Sequence, residues 1–575
     1  MAEQLYFSRD TRFFVQFRPI ANNDETAGNL GTGSLWEIPI LDGYSFSQTT
    51  NTSEITLSEM ESTAGISRRG RRMFTDSLAP AEWSFSTYMR PFDSKYATLS
   101  SGVGYMRADT TGKVHSVEEV LWAHMFGADT YSSNTFTRST NAVSGPVLTP
   151  ATTSSSLVTT ESNRSALHAL TFYFLIETAT DSPLLYRLPE AVVNEVSTDF
   201  DVDGIATLNW SGFAKEVQDR SDNILIADGS AAATPVLAYS VTRTNGDTAA
   251  KGDFWINTNN SRRVHIMSTI ASGSGNHAST QAIDEAITST SNFIRNRLTS
   301  VGIEAVDGAD KAAAFPGNSI KISALDNTNK VFTTATPHGF KTGDRVYITG
   351  CAGNVVPNLT HLWVRVGDET STYDGGTNAT TEFALFESYA QAINLGNNGG
   401  LHSATYTGTY TANSGTVANG KYSLTLTGGN FTISNNITYL VPEELGAINK
   451  PLDAVTGTRT ATASATCYLT LEDTAAATGN EGTSRQFFND MVSTDAMSQT
   501  VNKFKLTMDI GGSAAAAADT TDPAVTVIFP QAHIEVPSHS IEDVISLETN
   551  ISALPTSLGN ADEIESIQFW PPLTY

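Results

Sequence analysis

Arg187-Leu188-Pro189-Glu190-Ala191-Val192-Val193-Asn194-Glu195-Val196 has a counterpart far along the chain, Ile528-Phe529-Pro530-Gln531-Ala532-His533-Ile534-Glu535-Val536-Pro537. The two prolines stand 341 positions apart (530 − 189), and the residues after each alternate polar and apolar. That period puts successive side chains on opposite faces of a strand. After a two-residue slip, Asp203-Gly204-Ile205-Ala206-Thr207-Leu208-Asn209 answers Glu542-Asp543-Val544-Ile545-Ser546-Leu547-Glu548. One β-rich unit is therefore expected twice, closing first near residue 214 and again at the C-terminus.

Working outward from the first match, residues 5–18 read as a strand ending at Pro19. Trp36, Ile38, Ile40 and then Tyr44, Phe46 alternate across Asp42-Gly43, a strand, turn and strand. A polar stretch over about 47–80 is too long for a simple hairpin turn. Trp83 to Met89 is a further strand, stopped by Pro91. Ser116 to Gly127 predicts a helix, with Ser116 as cap, Glu118 and Glu119 in the first turn, and Val117, Val120, Leu121 and Met125 on the face that packs on a sheet. Two strands follow, at about 167–177 and 184–188.

The second copy reads in the same order. Phe293 to Leu298 is its expected opening strand, Tyr422, Leu424 and Leu426 answer Ile38 and Ile40, and Thr460 to Leu471 answers the strand at Trp83. Arg485 to Val492 answers the helix, and Lys503 to Ile510 and Ala524 to Phe529 complete the set. The expected domains are 1–215 as the first unit, 216–291 as a joining segment rich in Ala, Ser, Thr and Asn, and 292–301 with 421–575 as the second unit. Residues 302–420 interrupt that unit as an inserted small β-barrel. Insertion at a hairpin tip costs little, because loop-closure entropy grows only logarithmically with length. The fold class is mainly β with a few helices: two tandem barrel or sandwich units, each with one packed helix, plus the inserted barrel. Duplication of this kind suits a protein whose work is geometric, closing and stacking rings, and points away from an enzyme.

Composition narrows the function further. Only 16% of the 575 residues are charged, below the roughly 25% of ordinary soluble domains. Thr, Ser, Asn and Gly, which suit strands and turns, supply the polar surface instead. The net charge of −26, from 34 basic and 60 acidic residues, repels nucleic-acid phosphates and argues against a nucleic-acid-binding protein. It is compatible with a surface past which DNA slides. Cys351 and Cys467 are the two cysteines, too few for a disulfide framework or a cysteine metal site. The start, Met1 to Tyr6, lacks a basic region and an apolar core, and no run approaches the ~18 apolar residues of a membrane helix. Folding in a cytoplasm is expected.

Several motifs invite chemistry and have plainer readings. Asp199-Phe200-Asp201-Val202-Asp203-Gly204 opens like a calcium loop, but its twelfth position is Trp210, where a bidentate Glu is required. Acids facing a lumen or solvent fit better. His533, Glu535 and His539, with Glu542 and Asp543, resemble a metal cluster, yet Pro537 breaks the strand, and the first copy has Val192, Asn194 and Thr198 at those places. Neither catalytic residues nor a cofactor or metal site is assigned, and no G-x-S-x-G elbow, phosphate loop or H-E-x-x-H helix occurs. Arg68, Arg69, Arg71 and Arg72 form the one basic cluster. They are a solvated loop or an inter-ring contact that docks on an acidic face of the next ring, where guanidinium forks pair well with carboxylates, with nucleic-acid binding a remoter alternative.

The phrases A-E-W-S-F-S-T-Y-M-R-P (81–91), V-E-E-V-L-W (117–122), L-P-E-A (188–191), F-I-R-N-R-L-T (293–299), T-G-G-N-F-T-I (427–433) and F-P-Q-A-H-I-E-V-P-S-H-S (529–540) resemble those of bacteriophage tail tube proteins. So does the element order, with a helix packed outside a small barrel. The resemblance covers about 1–215, 292–301 and 421–575. It implies a virion tail protein, assembled in the host cytoplasm, whose units ring a lumen six at a time, with a long loop reaching a neighbouring ring. A chain with two units then makes a trimer of pseudo-sixfold symmetry, stacked into a tube through which the genome passes without specific binding. Closed rings also remove exposed sheet edges. The implied partners are further copies of the chain, baseplate and tail terminator proteins, and as a further candidate a sheath protein. A baseplate or hub ring protein of the same tail is the alternative, and a host-surface glycan-binding tail protein a remoter one. The insert has its own resemblance. Thr336-Pro337-His338-Gly339-Phe340 followed by Thr342-Gly343-Asp344-Arg345-Val346 is similar to the FCCH-type small barrel of ubiquitin-activating enzymes. A strand, tight turn and strand are expected over Phe332 to Ile348.

Overall fold

A computed structural model describes residues 5–17, 34–55, 72–94, 112–132, 134–139, 145–151, 154–158, 167, 169–178, 182–229, 236–259, 262–271, 275–284, 292–305, 320–326, 330–338, 340, 342, 345–349, 351–353, 360–366, 380–386, 409–419, 421–424, 426–441, 450–469, 484–485, 487–488, 504–511, 523–541, 544–557, 560 and 562–571. It is mainly β and separates into two compact units. Unit 1 holds Met1–Thr198, Thr207–Thr290 and Thr432–Thr460, and unit 2 holds Asp199–Ala206, Ser291–Phe431 and Ala461–Tyr575.

The strands of unit 1 that matter here are β1 (Thr11–Phe17), β2 (Ser34–Ile38), β3 (Ser45–Ser47), β4 (Thr50–Ile55), β5 (Arg72–Leu78), β6 (Ala81–Tyr88), β7 (Leu170–Ile176), β8 (Leu184–Asp201), β9 (Thr207–Ala214) and β10 (Gln218–Asp219). β1 lies between β2 and β7, β7 pairs with β8, β8 with both β9 and β10, and β9 with β6. The two strands expected on either side of residue 187 are one strand, β8, running through Pro189.

Pro189 is tolerated there because β7 and β8 carry a bulge. Leu170 faces Ala191 and Phe172 faces Leu188, so Pro189 and Glu190 together oppose Thr171. Proline lacks a ladder donor and is confined in sheets to edges and such bulges. Glu190 takes the left-handed backbone, φ 51°, as a bulge of this kind allows.

β1 (TRFFVQF) is buried from Phe13 to Phe17 and β7 (LTFYFLI) from Leu170 to Leu175, because both faces of their sheet are covered. On one face Phe13 meets Phe85, Phe172 and Phe174 at ring-centroid distances of 4.6, 5.2 and 4.9 Å, and Trp83 meets Phe172 edge-on at 4.8 Å. On the other, Phe14, Leu35, Tyr173 and Leu175 pack against Phe254, Ile256, Val264 and Ile266. Those last residues belong to a five-stranded sheet spanning Ile224 to Gln281. The segment expected to join two units is thus a packed layer of unit 1. Gly212 lies opposite Trp83, and a Cβ there would collide with the carbonyl of Val192 and the Trp83 ring.

Helix α1 (Glu119–Met125) is shorter and more deeply placed than expected. Its N-cap is Glu118, and Ser116 instead ends a short strand, Val114–Ser116, donating its hydroxyl to Glu118 Oε1 at 2.5 Å. All seven helical residues are buried, Glu119 and His124 included, so none of its faces meets solvent. Trp122 packs edge-on against Trp210 of β9 at 5.0 Å, and Trp210 Nε1 donates to Thr87 Oγ1 of β6 at 2.9 Å.

In unit 2 the chain runs through β11 (Ser300–Ala305), β12 (Lys421–Leu424), β13 (Leu426–Ser434), which crosses into the segment given to unit 1, β14 (Thr438–Leu440) and β15 (Asp453–Val455), both of unit 1, then β16 (Thr460–Tyr468), β17 (Phe504–Ile510), β18 (Ala524–Ile534), β19 (Ser538–Ile541), β20 (Ile545–Leu554) and β21 (Ser566–Trp570). β11 lies between β12 and β17, β17 pairs with β18, β18 with both β20 and β21, and β20 with β16. This is the pairing order of unit 1. The bulge recurs as well: Phe504 faces Ala532 and Leu506 faces Phe529, leaving Pro530 and Gln531 opposite Lys505. Tyr422 and Leu424 pair along β11 as Trp36 and Ile38 pair along β1. The expected opening strand, Phe293 to Leu298, is instead one bridge at Arg295 and a 3-10 turn, Asn296–Leu298, and the strand begins at Ser300. Of the answering helix, residues 484, 485, 487 and 488 are described and helical, and the rest of Arg485 to Val492 lies outside the described residues.

Between β11 and β12, six strands close a barrel in the order Ile320–Asp326, Val331–Thr334, Glu382–Phe386, Thr360–Val366, Arg345–Thr349, Thr416–Asn419. Ile322, Phe332, Val346, Ile348, Val364 and Phe383 fill it. The strands at Val331–Thr334 and Arg345–Thr349 exist as expected but are not a hairpin, since each pairs with other neighbours. Glu304 faces Lys421 across the base of the insertion, which therefore leaves and returns at one hairpin tip.

Candidate assembly surface

Two kinds of segment occur twice along the chain, a long arm and a hairpin tip. The first arm is the β4–β5 hairpin, with Thr50 opposite Leu78 and Ile55 opposite Arg72. Asn51 to Glu54 and Met73 to Asp76 are exposed on it. The second arm is the β14–β15 hairpin, with Thr438 opposite Val455. It follows β13 as the first follows β3 and precedes β16 as the first precedes β6.

The second arm is seated on unit 1, of which it is part. Asn435 donates its backbone N–H to Asn194 O at 2.8 Å, Ile437 donates its N–H to Asn194 Oδ1 at 2.7 Å, and the Tyr439 hydroxyl donates to Glu190 O at 3.1 Å. Ile437 and Tyr439 bury against Val192, Leu167 and Phe213. Asn435 Nδ2 reaches Met125 O at 3.2 Å, tying the arm to the end of α1. The arm thus satisfies backbone acceptors beside the Pro189 bulge, where a strand edge would otherwise be open.

The tip of the β8–β9 hairpin, Asp199–Ala206, is seated in unit 2. Ala206 donates its N–H to Ile294 O at 2.9 Å, Asn296 donates to Gly204 O at 3.0 Å, and Ile205 bridges Arg295. Phe200 is buried beside Phe431, with centroids 6.2 Å apart. Asp199, Asp201 and Asp203 are exposed on this tip. Among the described residues no group of acids, histidines and cysteines could hold a metal ion. The histidines of the C-terminal block separate: His533 is exposed on β18, whereas His539 packs edge-on against Phe488 at 4.4 Å. Glu535 accepts from Asn550 Nδ2 at 3.0 Å.

Buried electrostatics brace unit 1. Burial works against the Arg12 charge, but hydrogen bonds and attraction from Glu37 and then Glu177 outweigh it, so its pKa rises. Arg12 Nε lies 2.6 Å from Glu37, its Nη1 2.8 Å from Glu177, and Arg262 shares Glu177 at 2.7 Å. Beside α1, burial pushes the Glu118 carboxyl up to about 7. His115 Nδ1 and Glu119 Oε2 are 2.9 Å apart, both fully buried. Cys351 and Cys467 are free, and burial raises both thiols to about 11.

Of the expected inter-ring contact, Arg68, Arg69 and Arg71 lie outside the described residues, and Arg72 opens β5. In sequence the first three fall between β4 and β5. The docking of the second arm went unnoticed in the sequence. Its one signal is the equal placing of Thr438 to Val455 and the polar loop at 47–80 between matched strands.

No family model matches the chain. Over 145 residues it is 31% identical to the tail tube protein pb6 of Escherichia phage T5. The match takes in 25% of this chain and 28% of that relative's length. The likeness to phage tail tube proteins is borne out over that quarter of the chain. The similarity of the inserted barrel to the FCCH-type domain rests on its turn phrases alone.

Proposed function

We propose that this chain is a structural subunit of the tail tube of a tailed bacteriophage. The likeness to a tail tube protein carries the reading. The repeated ladder supports its geometry, with the same pairing order and the same proline bulge in each unit. Two tail-tube-like units in one chain supply two adjoining staves of a ring, so that three chains close a ring of pseudo-sixfold symmetry. Stacked rings form a channel for the genome. The excess of 60 acidic over 34 basic residues keeps DNA from adhering as it passes. Its chemistry is passive: no reaction is assigned to any residue. The subunit resides in the virion tail, with baseplate and tail terminator proteins at the tube's ends. The Arg68, Arg69, Arg71, Arg72 cluster docks on an acidic face of the next ring. The inserted barrel projects away from the bore.

A hub ring of the same tail would use the same fold and stop at one ring. Electron microscopy of the purified protein separates the two, since a tube subunit gives long hollow rods.

A further inference from the structure

The second arm and the β8–β9 tip are each held by another segment, whereas their counterparts, the first arm and the β19–β20 tip, present exposed apolar residues. The tip Asp199–Ala206 is capped by the chain that leads into β11, through the bridge at Arg295 and the 3-10 turn Asn296–Leu298. An equal 3-10 turn, Ser8–Asp10, leads into β1. The two turns are 288 positions apart (296 − 8), as are Val15 and Ile303, which pair alike in their ladders. Among the described contacts, the segment before β1 does not reach the β8–β9 tip; its Tyr6 hydroxyl donates to Ser182 O, 3.2 Å away between β7 and β8, and Leu5, Tyr6 and Phe7 are exposed.

At the counterpart tip, where β19 turns into β20, Ile541, Val544 and Ile545 are exposed, and Leu469 donates its N–H to Ile545 O at 3.0 Å. Ile541 faces Ile545 there. Ile541 takes the place of Phe200 and is 79% exposed against 6%, and Ile545 takes that of Ala206 and is 41% exposed against 0%. The second mismatch is independent of the first. Val192 and Phe213, which pair in unit 1, are covered by the second arm. His533 and Ser552 pair at the same register in unit 2 and are exposed. The first arm, meanwhile, presents Met73 and Phe74 to solvent.

We propose that these remnants meet between copies: residues 5–10 and the β4–β5 arm of one chain cap the β19–β20 tip and cover the His533–Ser552 face of unit 2 in the next. The occupant is a second copy of this chain, because residues 5–10 match by register, and the first arm by its place between matched strands, a segment already seated on the equivalent surface. The joint is head-to-tail, with different surfaces on its two sides, and such joints close into rings when the rotation permits. Apolar groups on both sides, Leu5, Tyr6 and Phe7 against Ile541, Val544 and Ile545, gain by mutual burial. This deepens the tube reading and rests on it.

The test is a disulfide placed where the bridge between Arg295 and Ile205 would be repeated. Phe7→Cys and Val544→Cys are combined in one full-length chain, with Cys351→Ser and Cys467→Ala. Oxidation of the assembled protein is expected to give a ladder of covalent dimers and larger species, absent from either single variant. Val544→Asp with Ile545→Asp, both at exposed positions, is expected to stop assembly with the melting temperature unchanged. Rings or tubes that form with no interchain ladder, or that survive the aspartates, overturn the joint and leave the tube reading standing. A chain that stays monomeric at every concentration in sedimentation overturns the tube reading and the joint with it.

Discussion

The backbone N–H of Ile437 donates to the side-chain oxygen of Asn194 at 2.7 Å, although 243 positions separate them. Asn194 also takes the N–H of Asn435 on its own carbonyl, so one residue holds the second arm at two points. Asn194→Ala leaves the Ile437 N–H without its acceptor in a half-buried site, a loss of about 1–3 kcal/mol. Hydrogen exchange at Ile437 and Tyr439 should quicken about tenfold or more, by the same energy, while exchange in β1 and β7 stays unchanged. An unaltered rate at Ile437 would mean that the arm is held by its apolar contacts alone.

Glu118 makes stability depend on pH. Its carboxyl is raised from 4.5 to about 7 by burial, so the folded chain holds a proton that the unfolded chain releases. The resulting stability is fully present below pH 4.5, declines as pH rises, and is gone above about 7. Its size is of order 3 kcal/mol. His265 acts in the opposite sense, because burial lowers it from 6.5 to about 4, and its contribution is lost as pH falls through that window. Comparing Glu118→Gln with the wild type cancels the histidine. Urea midpoints should show the variant gaining on the wild type between pH 5 and pH 8. A constant difference across that range would contradict a protonated Glu118.

The inserted barrel leaves and returns across the pair Glu304 and Lys421. Replacing 305–420 with Asn-Gly sets a two-residue turn between Glu304 and Lys421, closing a hairpin already in register. The shortened chain should melt within a few degrees of the intact one and form the same assemblies by microscopy. Loss of assembly would make the barrel part of the tube wall.

Reversing charge between β4 and β5 addresses stacking. Arg68→Glu with Arg69→Glu should leave single rings and abolish rods in sedimentation and electron microscopy. Rods of wild-type length would retire the cluster as an inter-ring contact.

How much of this was legible beforehand differs from element to element. The alternation after Pro189 and Pro530 revealed both copies of β8 and β18, because a strand with alternating burial writes its period into the chain. Phe293 to Leu298 misled, since its apolar residues mimic a strand while Asn296 to Leu298 turn to cap a hairpin instead. The sheet over 224–281 was hidden by its Ala, Ser, Thr and Asn, and its core is carried by the few residues Phe254, Ile256, Val264 and Ile266. Helix α1 was expected to pack by one face, Val117, Val120, Leu121 and Met125, whereas Glu118, Glu119 and His124 are buried as well. The docking of Ile437 on Asn194 could not be read at all, for hydrogen bonds between distant segments leave no local pattern.

Cryo-electron microscopy of the assembled protein tests the central claim most directly. The account predicts hollow rods whose rings contain three chains and repeat nearly every sixty degrees. Rings of six whole chains, or particles with no closed ring, would contradict it.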